Sequence, residues 1–320
     1  MRQMANAWAV VMAGGDGARL RALTRTREGL IVPKQYCSLG RSECLLQDAV
    51  MRAQKVVNVA HVSCVVAAQH RRWWSTALSN ISDTNIVVQP QNKGTGYGIL
   101  LALLKLERIN PAAIVTLLPA DHYFTDDAPI IRTLRLAANL ASDNPRTIYL
   151  LGTEPAGPDS ELGYILPAGG MRRNAAGVAG FTEKPEFSYA CELLRLGALW
   201  NLFILVGGVG ALLKLFESSH SRQAAEMSTA LDRQSEGQPN ALDVLYETIA
   251  PIDFSRDVLE LEASRLQVLG VPRCGWTDLG TPQRVEATVR HLSANAGISG
   301  ARAMTSAPPP LFFDLSTAPV

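Results

Sequence analysis

The apolar stretch Trp8-Ala9-Val10-Val11-Met12 runs directly into Ala13-Gly14-Gly15-Asp16-Gly17-Ala18-Arg19-Leu20. The first part predicts a buried strand. Glycines placed just after a strand let the backbone approach a ligand closely and turn its N–H groups toward phosphate oxygens. Arg19 adds a guanidinium fork of the kind that binds phosphate. This stretch therefore predicts a strand followed by a phosphate-binding loop.

The glycine loop differs from two common phosphate-binding motifs. It has neither the G-x-G-x-x-G of dinucleotide-binding folds nor the G-x-x-x-x-G-K-[ST] of P-loops, since no Lys-Ser or Lys-Thr follows it. A glycine turn after a strand also occurs without any ligand, so a purely structural turn is the alternative for this motif taken alone. A nicotinamide oxidoreductase on the same type of sheet is disfavoured, because its fingerprint is missing.

Short apolar runs alternate with amphipathic segments over the first half of the chain. The predicted strands are Trp8–Met12, Val62–Ala67, Ile86–Val88, Ile114–Leu118 and Thr147–Leu151. The predicted helices are Cys44–Val57, Trp73–Leu78, Gly98–Glu107 and Ile130–Leu140. This alternation predicts right-handed βαβ crossovers and an α/β fold whose mostly parallel central sheet is flanked by helices.

The second half has shorter strands and more turns. Strands are predicted at Gly163–Leu166, Gly177–Phe181 and Leu199–Val206, with helices around Cys191, Val209, Gln223 and Leu242. We interpret this half as an elaboration of the same sheet, so that residues 1–298 form one catalytic domain. Residues 299–320 are rich in Ala, Ser and Pro and include Pro308-Pro309-Pro310, which predicts a weakly ordered C-terminal tail.

Composition excludes several classes of protein. Of 320 residues, 47% are hydrophobic and 18% charged, which predicts a globular protein with a large core. A formal charge of +1 leaves no excess of positive charge for a nucleic acid partner. The uncharged stretch Leu196–Leu213 approaches the ~20 residues of a membrane span. Asn201 and the glycines inside it predict a strand, a turn and a helix start instead, so no membrane span is expected.

Cysteine usage and the N-terminal residues indicate a cytoplasmic location. The 5 cysteines are scattered without a C-x-x-C pair, which is typical of reduced structural thiols. The segment Met1–Ala7 lacks the apolar stretch of a secretory signal.

Two separated acidic residues are candidates for a metal site. Asp121, in Pro119-Ala120-Asp121-His122, follows a predicted strand, and the carboxyl ends of parallel strands face the ligand crevice. Asp278, in Gly275–Pro282, precedes a helix that Thr281 is expected to cap. Together they could hold Mg²⁺ against phosphate oxygens. Alternatively, either acid serves only as a cap or an ion-pair partner, and we assign His122 a packing role.

Ordered motifs along the chain carry a family resemblance, although each of them alone is weak. They are Ala13-Gly14-Gly15-x-Gly17-x-Arg19-Leu20, Pro33-Lys34-Gln35, Gln89-Pro90-x-Asn92-Lys93-Gly94-Thr95, Pro119-x-Asp121-His122, Gly163-Tyr164-Ile165, Glu183-Lys184-Pro185, Trp200-Asn201, Asp253-Phe254-Ser255-x-Asp257-Val258-Leu259 and Gly275-Trp276-x-Asp278-Leu279-Gly280. In this order they span Ala9 to about Arg290. The sequence resembles the sugar-phosphate nucleotidyltransferases, and most closely the mannose-1-phosphate guanylyltransferases.

The resemblance implies a Rossmann-like nucleotide-diphospho-sugar transferase fold and a role for each motif. It implies nucleotide-binding residues Ala13, Gly14, Gly15, Gly17, Arg19 and Lys34 at the triphosphate, and Gln89, Asn92, Gly94 and Thr95 near the base. It implies sugar-phosphate-binding residues Gly163, Tyr164, Glu183, Lys184 and Asn201. It implies Mg²⁺ as cofactor on Asp121 and Asp278, which with Arg19 and Lys34 would be the catalytic residues.

The implied reaction joins mannose 1-phosphate to GTP, giving GDP-mannose and pyrophosphate. A phosphate oxygen of the sugar attacks the α-phosphorus directly, without a covalent enzyme intermediate. Another nucleoside triphosphate and hexose 1-phosphate pair is the alternative, as is a catalytically weak regulatory homologue. A homo-oligomer remains an option that the sequence leaves open.

Three residues depart from the family pattern. Ala18 and Ala120 stand where a small hydroxyl residue is usual, and Leu202 follows Trp200-Asn201 where serine is usual. Lost hydroxyls remove hydrogen bonds worth about 0.5–1.5 kcal/mol each. A bulky side chain at Leu202, beside Asn201, could narrow the sugar site.

Overall fold

The computed structural model describes residues 6–26, 28–172 and 175–296. Its strands are β1 Ala7–Ala13, β2 Val62–Ala67, β3 Ile86–Gln89, β4 Ile114–Pro119, β5 Tyr123–Phe124, β6 Ile148–Thr153, β7 Gly163–Arg172, β8 Ala175–Glu183, β9 Leu199–Gly208, β10 Leu266–Val271 and β11 Trp276–Thr277. Its α-helices are α1 Leu45–Gln54, α2 Arg71–Ala77, α3 Thr95–Ile109, α4 Asp127–Asp143, α5 Phe187–Arg195, α6 Val209–Leu213, α7 Ser221–Ser235, α8 Ala241–Thr248, α9 Glu260–Glu262 and α10 Pro282–Ala296. A π-helical turn covers Phe254–Leu259. The predicted tail, 299–320, lies outside the described residues.

Nine strands form one sheet in the order β3-β2-β1-β4-β9-β6-β10-β8-β7. Strands β1 to β4 pair in parallel, as do β6 and β10. Strands β8 and β9 run antiparallel to their neighbours, so seven of the nine strands point the same way. The predicted α/β fold with a mostly parallel sheet is confirmed. The reversal of β9 was not predicted, because a strand buried on both faces carries the same apolar pattern in either direction.

The predicted helices and strands recur with shifts at their ends, the largest in β7, which was predicted to end at Leu166 and continues to Arg172. The strand Val62–Ala67 is found with the predicted bounds. The helix predicted at Ile130–Leu140 begins earlier, because the Asp126 side chain caps it by accepting a hydrogen bond from the Ala128 N–H at 2.8 Å. Thr281 caps α10 as predicted, with Pro282 as its first residue. None of the helices in the described residues is long and apolar enough to cross a membrane.

Two apolar layers cover the sheet. Successive residues of β1 alternate between them, since Ala9 and Val11 belong to one core cluster and Trp8 and Val10 to the other. The first cluster includes buried residues of α1, α2, α4 and α10. The second includes residues of α3, α6, α7 and α8. Helices therefore flank the sheet on both faces, and functional side chains are left to the strand ends.

Leu202 lies inside the first core cluster and is fully buried. The expectation that it narrows the sugar site is therefore wrong. Its neighbour Phe203 is the bulky side chain that faces the opposite side of β9, because side chains alternate along a strand.

Phe203 sits in a bulge of β9. The pairing of β6 with β9 shifts between Leu150 and Gly152, which pair with Leu205 and Asn201. Phe203 adopts φ 53°, a left-handed conformation that costs most residues about 1–2 kcal/mol. The Oδ1 atom of Asn201 accepts a hydrogen bond from the Phe203 N–H at 3.0 Å, which supports the strained turn.

The positive φ of Phe203 predicts that glycine is a more stable replacement than alanine, the reverse of the usual order inside a strand. Phe203→Gly should be more stable than Phe203→Ala by about 1 kcal/mol, since glycine adopts positive φ without strain. Urea denaturation monitored by circular dichroism measures the difference.

The control is Phe181 in β8, which is buried, whereas Phe203 is partly buried, and which lacks a positive φ. There alanine should be the more stable replacement, by about 0.5–1 kcal/mol. The same ranking at both positions would contradict the left-handed conformation of Phe203.

Candidate active site

A cavity of about 460 Å³ lies where β1, β3 and β4 end, closed on one side by Pro251, Ile252 and Asp253. Seven of the ten predicted nucleotide-binding residues line it: Gly14, Gly15, Gly17, Gln89, Asn92, Gly94 and Thr95. A larger groove of about 800 Å³ lies between α7 and α8, away from the glycine loop. The smaller cavity is the candidate active site, because ligands of open α/β sheets bind at the carboxyl ends of the strands.

Close packing explains two of the three glycines in the loop after β1, whereas a Cβ on Gly15 would meet nothing within 4 Å. A Cβ atom on Gly14 would come within 2.6 Å of the Gln89 Nε2 atom. Gly17 has φ 59°, and a Cβ there would lie 3.1 Å from the backbone nitrogen of Lys34. Gln35 holds the loop by donating from Nε2 to the carbonyl oxygens of Ala13 and Gly15, both at 2.8 Å. Gln35 was part of a motif, but its clamping role was not predicted.

Asp16 anchors the tip of the glycine loop. Its carboxylate accepts hydrogen bonds from Asn92 Nδ2 at 2.9 Å and from Gln69 Nε2 at 3.3 Å, and lies 3.1 Å from His70 Nε2. Burial lowers the pKa of His70, and Asp16 offsets this only in part. Asn92 also accepts from the Gly94 N–H at 3.1 Å, so in this structure its side chain organises the loops around the cavity.

Lys34 lies beside the cavity, with its side chain almost fully buried. Its Nζ atom is 2.9 Å from Asp121 Oδ2 and donates to the main-chain oxygen of Asp278 at 2.6 Å. Asp121 and Asp278 come together because the short strands next to them pair with each other. Tyr123 of β5, which follows Asp121, pairs with Thr277 of β11, which precedes Asp278. The structure therefore brings both predicted metal-binding residues to one edge of the sheet.

Asp121 is an ionised carboxylate facing the cavity. Burial raises the pKa of its carboxyl, but the Lys34 ammonium and His122 more than offset this, so the pKa lies below its usual range. Burial lowers the pKa of His122 to about 4, so this ring is neutral at pH 7. The Nδ1 atom of His122 accepts from Trp276 Nε1 at 3.2 Å. His122 thus supports the loop that carries Asp278, in line with its predicted packing role.

The Asp278 carboxylate is held by its own loop and by α10. Its Oδ1 atom accepts from the Gly280 N–H at 3.0 Å and from Arg284 Nη1 at 2.5 Å. Arg284 also binds Asp159, which lies before β7. This arginine was not predicted. Its one sequence signal is a position on the first turn of α10, six residues after Asp278.

The predicted sugar-side residues gather around Glu183 at the end of β8. A Cβ on Gly163 would approach a Glu183 oxygen to 2.6 Å and the Asn201 Cβ to 3.5 Å. Lys184 Nζ lies 3.5 Å from Glu183 Oε1. Burial raises the pKa of Glu183 despite this lysine. The side chain of Tyr164 points away into a separate apolar cluster, so its main chain is what faces this group.

Arg19 lies at the mouth of the site. Its Nη1 atom is 2.5 Å from Glu161 Oε2, and both side chains are about half exposed. Arg19, Lys34 and Ala13 are the three predicted nucleotide-binding residues that are not part of the cavity lining. Exposed ion pairs of this kind contribute about 0–1 kcal/mol, so Arg19 can exchange Glu161 for a phosphate at little cost.

The donor chemistry of the site suits a hard cation only in part. Within the described ranges, no group of three or more His, Cys, Asp or Glu side chains is arranged to hold a metal ion. Mg²⁺ commonly takes one or two carboxylates and completes its shell with water and substrate phosphates. Asp121 fits that role, whereas Asp278 has one carboxylate oxygen committed to Arg284 and Gly280.

The contacts of Arg284 predict a large loss of stability on its replacement. Arg284→Gln leaves the partly buried carboxylates of Asp159 and Asp278 without their cation, which should cost about 1–3 kcal/mol in urea denaturation. The matched control is Arg290→Gln on the same helix. Arg290 pairs with Glu286 and is mostly exposed, so its loss should cost under about 0.5 kcal/mol. Equal losses would contradict a tether through Arg284.

Comparison with known proteins agrees with this geometry. Residues 8–294 match the model of the nucleotidyl transferase family. The mannose-1-phosphate guanylyltransferase of Salmonella montevideo is 30% identical over 201 residues, which are 60% of this chain and 41% of that protein. The xanthan biosynthesis protein XanB of Xanthomonas campestris pv. campestris (strain B100) is 28% identical over 202 residues, 62% of this chain and 41% of its own length.

A solved structure extends the likeness to the fold. The mannose-1-phosphate geranyltransferase from Thermus thermophilus superposes with a TM-score of 0.71 at 27% identity, covering 86% of this chain and 76% of that one. This chain spans 41% of the length of each of the two curated relatives above. The match over residues 8–294, supported by the shared fold, confirms the resemblance seen in the motifs: the chain belongs to the nucleotidyl transferase family.

Proposed function

We propose that this protein transfers the GMP group of GTP to mannose 1-phosphate, giving GDP-mannose and pyrophosphate. The observation that carries the proposal is the pair Lys34–Asp121 at the edge of the glycine-loop cavity, with the Glu183–Lys184 group beyond it. The Glu183–Lys184 group adjoins the cavity through Asn201, which faces Gly163 and accepts from the N–H of the cavity-lining Phe203. Two neighbouring regions suit two phosphorylated substrates that react with each other.

The chemistry requires little covalent participation by the protein. A phosphate oxygen of the sugar 1-phosphate attacks the α-phosphorus of the nucleotide, the new O–P bond forms, and the bond to pyrophosphate breaks. The attacking phosphate is already anionic at pH 7, so no side chain needs to remove a proton. Positioning and charge neutralisation then supply the rate enhancement. In this proposal Lys34 acts on the nucleotide phosphates and Lys184 binds the sugar phosphate.

We propose Mg²⁺ as the cofactor, held by Asp121 together with Asp278. Asp121 contributes an ionised carboxylate at the cavity, and Asp278 would contribute the oxygen that does not bind Arg284 and Gly280. When bound, the ion supplies positive charge next to the phosphate oxygens. Lys34 orients Asp121, and Arg284 orients Asp278.

The choice of GTP and mannose rests on the relatives that carry those names, including the one from Salmonella montevideo at 30% identity. Base and sugar selection depend on few contacts, so another nucleoside triphosphate and hexose 1-phosphate pair is the second candidate. A regulatory homologue without turnover is disfavoured by the retained Lys34, Asp121 and Lys184.

We also propose a cytoplasmic location. All 5 cysteines are free thiols, which supports this proposal.

A pyrophosphate-release assay tests the substrates. With Mg²⁺ present, the protein should release pyrophosphate from GTP only when mannose 1-phosphate is added, because the two substrates react with each other. Crossing several nucleoside triphosphates with several sugar 1-phosphates in the same assay provides the controls. Equal or faster turnover of UTP or dTTP with glucose 1-phosphate would refute the guanylyl assignment and leave the fold untouched.

Neutralising the two acids tests the metal site. Asp121→Asn and Asp278→Asn should each stay folded and lose at least about 100-fold in kcat, because each removes charge at the reacting phosphates. The double variant should lose little more, since the two residues act as a unit. Asp243→Asn, on the exposed side of α8, is the control. Near-normal turnover of Asp278→Asn at limiting Mg²⁺ would show that Asp278 is only structural.

A further inference from the structure

Strained backbone in the described part of the chain is concentrated at the candidate site. Three non-glycine residues have positive φ: Lys184 at 51°, Phe203 at 53° and Leu279 at 49°. Lys184 belongs to the sugar-side group, and Leu279 follows Asp278. Such strain persists where the surrounding structure enforces it, and it is common at ligand sites. Phe203 differs from the other two, because it lies inside a strand and carries an aromatic ring.

The ring of Phe203 lies in the cavity and packs against a buried aromatic residue. It lines the cavity together with Gly14 and Asp121. Its edge packs on the ring of Phe254, with centroids 6.3 Å apart and an interplanar angle of 84°. Phe254 is itself fully buried, and its N–H donates to Thr95 Oγ1 at 3.0 Å. The fixed backbone and this packing together keep the ring from turning out of the cleft.

The order of the strands places Phe203 between the two substrate regions. Across the sheet, Gln89 ends β3, the glycine loop follows β1, Asp121 follows β4, and Phe203 lies in the next strand, β9. Strand β7, which begins with Gly163, pairs with β9 beside Trp200. Asn201 connects the two regions directly, since its Cβ faces Gly163 and its Oδ1 accepts the Phe203 N–H.

We propose that Phe203 is a specificity-determining residue that limits the size of the sugar 1-phosphate. Its ring lines the cavity together with Asp121, and its strand also carries Asn201, which faces Gly163 of the sugar-side group. Unsubstituted hexose 1-phosphates fit beside the ring, whereas N-acetylhexosamine 1-phosphates collide with it. A packed site resists added volume, and even one methylene group changes selectivity by about 10–200-fold. This inference rests on the proposed function.

The test compares the ratio of kcat/KM for glucose 1-phosphate and N-acetylglucosamine 1-phosphate, with mannose 1-phosphate alongside. In Phe203→Gly and Phe203→Ala the preference for the unsubstituted sugar should fall at least about tenfold. Both variants remove the ring, but only Phe203→Gly also relieves the strain of the backbone. A fall in the preference in both variants therefore assigns the effect to the ring. Phe187→Ala, which removes an exposed phenylalanine of α5, should leave the ratio unchanged.

An unchanged ratio in both variants, with turnover retained, overturns this inference and leaves the proposed function intact. Absence of turnover by the wild-type protein with every pair overturns the proposed function instead. In that case calorimetry measures the Kd values of UDP-glucose and UDP-N-acetylglucosamine for the wild type and the variants. We expect the same tenfold fall in the preference for UDP-glucose. An unchanged ratio of the two Kd values, or no binding, overturns the inference. If both small variants unfold, Phe203→Leu replaces them, and an unchanged ratio there overturns the inference as well.

Discussion

The buried ammonium group of Lys34 is the contact on which the candidate site depends. A charge removed from water must be paired, and Lys34 meets this need with the Asp121 carboxylate and the main-chain oxygen of Asp278. The end of β4 and the loop before α10 are thereby fixed to the same point. Asp278 in turn binds Arg284, which binds Asp159. Two groups of ion pairs, joined by the bond from Lys34 to the main chain of Asp278, thus connect the cavity to the residues before β7.

Hydrogen bonds within the protein fix the loops on the predicted nucleotide side of the cleft. Gln35 fixes the carbonyl groups of the glycine loop, and Asp16 ties the loop tip to Asn92. Ile252 accepts from the Gly96 N–H and donates to the Lys93 oxygen, both at 3.0 Å, which fixes the loop before α3. Such preorganisation lowers the entropy lost on binding and favours reaction geometry. The predicted sugar side instead includes a strained strand, in which Asn201 supports the backbone of Phe203.

Much of this arrangement could be predicted from the sequence, for identifiable reasons. Periodicity located the strands of the parallel half, because runs such as Val62–Ala67 are buried on both faces. The cap at Thr281 followed from local hydrogen-bonding rules. The glycine loop and Asp121 were placed correctly, because both directly follow strands whose carboxyl ends share one edge. Leu202 was misjudged, since a bulge and the alternation of β9 decide which of two neighbours faces the cleft.

By itself, the sequence determined the α/β class, the glycine loop and the family, because these depend on local periodicity and on residues close together along the chain. Only the tertiary structure decided that Lys34 lies between Asp121 and Asp278, that Arg284 holds the second acid, and that Phe203 lines the cavity. These contacts join residues up to 244 positions apart. They depend on strand order and on the direction of β9, and a buried strand has the same apolar pattern whichever neighbours it pairs with.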